Sequence, residues 1–283
     1  MTPLRVAAVA GAFGRDVEAG LAKIERLVAE ARRRGVRLLV LPEAAVGGYL
    51  ADLDGGAGLP PAFALDSALI RRLGAIAGDI VLCVGFCESR GGQRFNSAVC
   101  LNGDGVLGCY RKVHQPLRED ASYAAGSEFP VFDTPVGRLG MLICYDKAFP
   151  EAARALSLAG AEIVACLSAW PAGRTAQAQD LADDRWTKRF DLFDRARALE
   201  NQVIWIASNQ AGTFGSLRFV CSAKIVGPGG DVLATTGTRP GVAEAEIDVA
   251  EVLAAARRSM FHLRDRRPDL YWSHTYETTG TAG

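Results

Sequence analysis

Cys144 ends the apolar run Leu139-Gly140-Met141-Leu142-Ile143, and a helix start follows, with Pro150 in the first-turn position that proline favours. The pattern predicts a strand, a tight corner and a helix, with a thiol at the corner. Helix N-termini favour anions, so a thiolate is stabilised there. A thiol that attacks a carbon centre needs a base for its proton and donors for the oxyanion that forms. Glu43 closes the apolar run Leu38-Leu39-Val40-Leu41-Pro42, which puts its carboxylate at the mouth of a sheet, half desolvated, as suits a general acid or base. Lys112 closes Val106-Leu107-Gly108-Cys109-Tyr110-Arg111, where an ammonium would hold a thiolate and then an oxyanion. His114 offers a Cys-His pair as the alternative. Each residue also has a plain reading: Cys144 as a core thiol, Lys112 as a solvated strand end, Glu43 as a helix-cap partner. What favours chemistry is the combination, since sites in layered α/β folds gather at strand ends.

Alternating elements must carry these residues. Leu4 to Ala10 reads as a buried strand. A helix from Asp16 to Arg34 follows, with Val17, Leu21, Ile24, Val28 and Ala31 on one face and Gly35 ending it. Val36 to Leu41 is a second strand and Ser67 to Ile76 a second helix. Strands are expected at Ile80–Glu88, Phe95–Leu101, Val106–Lys112, Val131–Thr134 and Leu139–Cys144, separated by turns such as Asn102-Gly103-Asp104-Gly105. Then come a helix over Pro150–Ala159, a strand over Ile163–Leu167, a long helix over Gln177–Asn201 and a strand over Val203–Ser208. Gly227-Pro228-Gly229-Gly230-Asp231 signals a hairpin, and a last helix covers Val249–Arg258. The segment Val113–Pro130 is expected to loop over the site. With no repeat or linker, the mixture predicts α and β layers in one large domain spanning 1–283.

The bulk numbers narrow the function. The 283 residues are 49% hydrophobic and 23% charged, enough for a large core. Thirty-two basic residues balance thirty-two acidic ones, which argues against an electrostatic nucleic-acid binder and for a small-molecule partner. No apolar run reaches the roughly 18 residues of a membrane span. The N-terminus lacks a secretory pattern, and the seven cysteines read as reduced, buried thiols, so a cytoplasmic protein is expected. Gly103-Asp104-Gly105-Val106-Leu107-Gly108 matches a dinucleotide-binding pattern, but a strand follows it where a helix is needed, so it reads as a hairpin turn. Cys83 and Cys87 have no second ligand pair, and the three histidines are scattered, so no metal site is expected.

Leu41-Pro42-Glu43, Tyr110-Arg111-Lys112-Val113-His114 and Ile143-Cys144-Tyr145-Asp146-Lys147-Ala148-Phe149-Pro150-Glu151 resemble, in order, the three signature blocks of the nitrilase superfamily of carbon–nitrogen hydrolases. Arg94-Phe95-Asn96-Ser97-Ala98, the segment from Arg195 to Gln202, Ser208-Asn209-Gln210 and the segment from Asp265 to Tyr271 resemble supporting segments, so the likeness covers almost the whole chain. The resemblance implies a four-layer αββα sandwich and a homodimer, with the tail 261–283 reaching a partner subunit. It implies Cys144 as nucleophile, Glu43 as general base, Lys112 and the backbone N–H of Tyr145 as oxyanion donors, and no cofactor. A second glutamate between the lysine and the cysteine is implied too. Glu119 matches best, with Asp120 the competing choice.

The block Cys-Tyr-Asp resembles amidases and carbamoylases, whereas nitrilases proper more often carry Cys-Trp-Glu. The expected reaction is hydrolysis of a small amide or N-carbamoyl compound through a thioester. A nitrilase is the alternative within the superfamily, and a non-catalytic scaffold the alternative outside enzymes. Where the common amidase block has arginine four residues after the cysteine, this chain has Ala148. Lys147 beside it reads as a solvated surface residue. Trp170, Tyr49 and Phe149 are the expected substrate-pocket aromatics.

Overall fold

The computed structural model describes residues 3–51 and 58–271. Its strands are β1 (Leu4–Gly11), β2 (Leu38–Val40), β3 (Ala62–Phe63), β4 (Val81–Arg90), β5 (Gln93–Asn102), β6 (Gly105–Arg111), β7 (Val131–Thr134), β8 (Gly137–Ile143), β9 (Ile163–Ser168), β10 (Ile204–Gln210), β11 (Thr213–Phe214), β12 (Leu217–Arg218), β13 (Lys224–Val226), β14 (Val232–Thr235) and β15 (Gly241–Ile247). Its helices are α1 (Val17–Arg33), α2 (Ala68–Ala77), α3 (Pro150–Leu158), α4 (Arg185–Asn201), α5 (Val249–Ser259) and α6 (Pro268–Tyr271).

The alternation within β1 shows how the layers arise. Val6, Ala8 and Ala10 face one core, and Ala7 and Val9 face the other. The second core buries α1 and α2 against β1, β2, β4 and β5 through Leu21, Ile24, Val28, Ile70 and Leu73. The first runs between the two halves of the sheet and out to α3 and α4, through Leu139, Met141, Leu156, Phe190 and Trp205. One half of the sheet has the order β6-β5-β4-β2-β1 with β15 beside β1, and the other is β10-β9-β8-β7 with β13 beside β10 and β14 beside β13. Among the described residues, the two halves share ladder pairing where Ala10 meets Asn209 and Gly11 meets Gln210. Helices therefore flank a nearly closed sheet in a single-domain α/β fold, the αββα sandwich that the signature blocks imply.

Most predicted elements appear within a residue or two. The Asn102–Gly105 turn joins antiparallel β5 and β6, and the Gly227–Asp231 turn joins β13 and β14. The long helix is the exception: it starts at Arg185, not Gln177. Asp184 caps it by accepting from Trp186 N at 2.8 Å, which stops the helix from extending backward. Val113–Pro130 is a loop apart from one tight helical turn at Glu119–Ala121. Residues 272–283 of the expected tail lie outside the described residues. Among the described residues no helix is long and apolar enough to cross a membrane.

Candidate active site

Glu43, Lys112 and Cys144 follow β2, β6 and β8. Strands β2 and β4 are parallel, and β5 reverses and β6 reverses again, so Glu43 and Lys112 emerge at one edge of their half-sheet. β8 and β9 run parallel in the other half, so Cys144 and Ala169 emerge together there. The backbone bends sharply at both strand ends. Ala44, just after Glu43, has φ 52°, and Cys144 itself has φ 51°. A non-glycine residue held there costs about 1–2 kcal/mol, so the surrounding contacts must enforce the bend. Gly85 of β4 is part of that enforcement: a Cβ there would lie 2.5 Å from Ala44 N and 2.7 Å from Glu43 Cα.

Asp146 holds the corner on the Cys144 side. Its Oδ2 accepts from Ile143 N at 2.9 Å and from the Tyr110 hydroxyl at 2.6 Å. Its Oδ1 accepts from His114 N at 3.0 Å and lies 2.8 Å from His114 Nδ1. The same carboxylate thus ties the end of β8 to the end of β6. It also engages His114, whose ring stacks on Phe149 with centroids 3.7 Å apart. No hydrogen bond joins His114 to Cys144 among the described residues.

At the centre, Lys112 Nζ donates to Glu43 Oε1 and to Glu119 Oε1, both at 2.9 Å. All three side chains are fully buried. Glu43 Oε1 also accepts from Asn96 Nδ2 at 2.7 Å, and Oε2 accepts from Ala169 N at 2.6 Å. The Tyr49 hydroxyl donates to Glu119 Oε1, whereas Glu119 Oε2 has no partner among the described residues. Burial pushes the Glu119 carboxyl up to about 7, with Lys112 opposing and Glu43 assisting that shift. Burial also raises the Cys144 thiol well above its ordinary value, reinforced by Glu43 and opposed by Lys112. The Ala169 N–H that binds Glu43 also favours the Cys144 thiolate.

A cavity of about 370 Å³ opens onto Cys144. Tyr49, Pro116, Leu117, Tyr145, Ala169, Trp170, Pro171, Ala172, Arg174, Thr175, Arg185 and Trp186 complete its lining.

Of the residues singled out from sequence, Glu43, Lys112, Glu119 and Cys144 come together, with Tyr49, Tyr145 and Trp170 on the cavity. Asp120 is exposed and Glu119 buried against Lys112. Phe149 does not line the cavity; it packs under His114 and edge-on to Tyr145 at 5.1 Å. Lys147 is not a solvated surface residue. It is fully buried, with Nζ 2.5 Å from Asp194 Oδ1 and 3.2 Å from the Phe190 ring centroid. The ammonium has a carboxylate and an aromatic face in place of water. Sequence reading missed Asn96 as a Glu43 partner, although its segment was noted, and missed Ala169, Arg174, Arg185 and Trp186. A backbone N–H leaves no mark on residue type, and Arg174 in an irregular segment and Arg185 at a helix start carry no periodic signal.

The chain belongs to the carbon–nitrogen hydrolase family, whose model matches residues 5–257. It is an enzyme that hydrolyses non-peptide carbon–nitrogen bonds. It is 32% identical to a probable nitrilase of Schizosaccharomyces pombe, over 90% of this chain and 92% of that one. It is 31% identical to N-carbamoylputrescine amidase of Arabidopsis thaliana, over 90% of each chain. It also matches, with TM-score 0.77 and 26% identity over 97% of each chain, a solved structure of a mutant of the amidase from Nesterenkonia sp. AN1. That structure shows covalent addition of the acetamide moiety of fluoroacetamide at the active site cysteine.

Proposed function

We propose that this enzyme is a cysteine-dependent amidase that releases ammonia or an amine from a small amide or N-carbamoyl compound through a thioester on Cys144. The observation that carries the reading is the one N–H of Ala169, which binds Glu43 Oε2 and also favours the Cys144 thiolate. It links base and nucleophile at the floor of a cavity.

Cys144 rests as a neutral thiol, because burial and the two nearby carboxylates disfavour its anion. Glu43 takes the thiol proton as sulfur attacks the carbonyl carbon. The oxyanion is held by Lys112 Nζ and the Tyr145 N–H. On collapse the C–N bond breaks, and protonated Glu43 passes its proton to the departing nitrogen, leaving an acyl thioester. Glu43 then activates a water, whose attack releases the acid and returns the proton to sulfur. Glu119 positions Lys112 and, with a pKa near 7, holds a proton for part of the neutral range. The cycle uses no metal or organic cofactor. The amidase names among the relatives, and the covalent adduct at the active site cysteine of the Nesterenkonia amidase, support this reading.

We also propose a cytoplasmic homodimer, its tail (261–283) reaching the partner. Seven free thiols suit a reducing compartment. Exposed Leu158 on α3, Leu192 and Leu199 on α4, and Met260 and Phe261 after α5 supply apolar surface for a second copy.

The test is intact-protein mass spectrometry with matched amide, carbamoyl and nitrile libraries. An acyl adduct on Cys144 is expected from an amide or carbamoyl compound, and none in Cys144→Ala. Glu43→Gln is expected to slow turnover about 10²–10⁴-fold. An adduct on another cysteine overturns the site, and turnover of nitriles alone overturns the substrate class.

A further inference from the structure

The floor of the cavity holds the reacting groups, but its rim holds two charges that the reaction does not use. Arg174, in the loop after β9, and Arg185, the first residue of α4, both line it. Arg174 has no hydrogen bond or ion pair among the described residues. Arg185 commits one amino group to Thr175, at 3.1 Å from its carbonyl oxygen and 2.8 Å from its hydroxyl, and pairs with no carboxylate among the described residues. Among the described residues, no acidic side chain lines the cavity. Asp184, the carboxylate next to Arg185, is buried and taken up by backbone: it accepts from Gly173 N at 3.1 Å and Trp186 N at 2.8 Å. Between rim and floor the wall is aromatic, with Trp170 and Trp186 ring centroids 5.8 Å apart. The indole N–H of Trp170 is buried without an acceptor among the described residues. The nitrogen groups left uncommitted on this lining are donors, and among the described residues no carboxylate opposes the two cations.

We propose that the substrate carries a carboxylate at the end opposite its scissile amide or carbamoyl group, held by Arg174 and Arg185. Its apolar spacer lies along Trp170 and Trp186. This rests on the amidase reading above and narrows it. Guanidinium donors match a carboxylate in geometry as well as charge. An ammonium at the same end would meet two cations and, among the described residues, no acid, a like-charge arrangement that rejects it.

The experiment compares three amides of matched spacer length, ending in a carboxylate, its methyl ester and an amine, across a series of spacers. In the native enzyme kcat/KM for the carboxylate is expected to exceed that for the ester by about tenfold, the worth of one charge-assisted hydrogen bond. The amine is expected to rank last. Arg174→Gln and Arg185→Gln are each expected to raise KM for the carboxylate and pull the carboxylate-to-ester ratio toward unity, with arginine-to-lysine variants recovering part of it. Equal or better turnover of the ester or amine by the native enzyme overturns the proposal. If none of the three is hydrolysed at any spacer length, the amidase reading fails on its own. Calorimetric binding of the same compounds to Cys144→Ala protein then decides: a tighter carboxylate supports the anion site, and equal or weaker binding overturns it.

Discussion

Two buried lysines lie on either side of the Cys144 corner, and their surroundings differ in one respect. Lys147 belongs to a balanced set. Asp194 accepts from Lys147 and, at 2.8 Å each, from Lys224 and the Trp205 indole. Lys224 also pairs with Asp191 at 2.8 Å, so two cations meet two anions. Lys112 belongs to an unbalanced set, with one cation between Glu43 and Glu119 and one carboxylate oxygen left over. Burial raises the proton affinity of Glu119 into the neutral range, and the second carboxylate, Glu43, adds to that shift while Lys112 opposes it. Balanced charge holds the corner in place, while unbalanced charge is available to react.

The largest expected contrast is between the two lysines themselves. Lys112→Met is expected to lower kcat by about 10²–10³-fold through loss of the proposed oxyanion donor. It also destabilises the fold, because two carboxylates then face each other. Lys147→Met is expected to cost about 3–5 kcal/mol in urea unfolding, with kcat of the folded fraction falling far less. Equal losses of kcat in the two variants would erase the distinction.

A second contrast is in pH dependence, where the two carboxylates have opposite signs. The Glu119 pKa is raised from 4.5 to about 7, so the folded state holds a proton that the unfolded state has released. Its contribution to stability is present below pH 4.5 and lost as pH rises to about 7. The slope approaches about 1.4 kcal/mol per pH unit, and Glu119→Gln is expected to remove it. In Asp194 burial raises the pKa, but Lys147 and Lys224 outweigh it and leave the pKa below its ordinary value. Its contribution is present above the ordinary value and lost as pH falls through the depressed one, so Asp194→Asn is expected to flatten the acid limb. Unfolding free energies measured across both windows check both signs.

The smallest effect is expected from Tyr49→Phe. Losing the hydroxyl that donates to Glu119 removes an interaction worth about 1 kcal/mol. It also raises the Glu119 pKa further, because that bond favours the carboxylate. The pH–rate profile is expected to shift upward with less than about tenfold loss of kcat/KM. An unmoved profile would detach Glu119 from the reaction.

Much of this was legible in the chain. Apolar spacing located α1, α2 and α5 nearly to the residue, and the strand ends located Glu43, Lys112 and Cys144. Glu119 over Asp120 was only a preference until the turn after Arg118 directed one carboxylate inward and left the other exposed. Lys147 and Phe149 were misread for one reason: lysine on the surface and an aromatic beside a nucleophile are both sound local expectations. Asp194 lies 47 residues beyond Lys147, in the middle of α4, where nothing local marks it as a partner.

The sequence by itself determined the elements and the place of Glu43, Lys112 and Cys144 at strand ends, because periodicity, turns and caps act over a few neighbouring residues. Only the tertiary structure decided which charges are balanced and which are not, and that Arg174 and Arg185 face the same cavity as Cys144. Those properties depend on burial and on partners far apart in the chain, which are set when the two halves of the sheet close on each other.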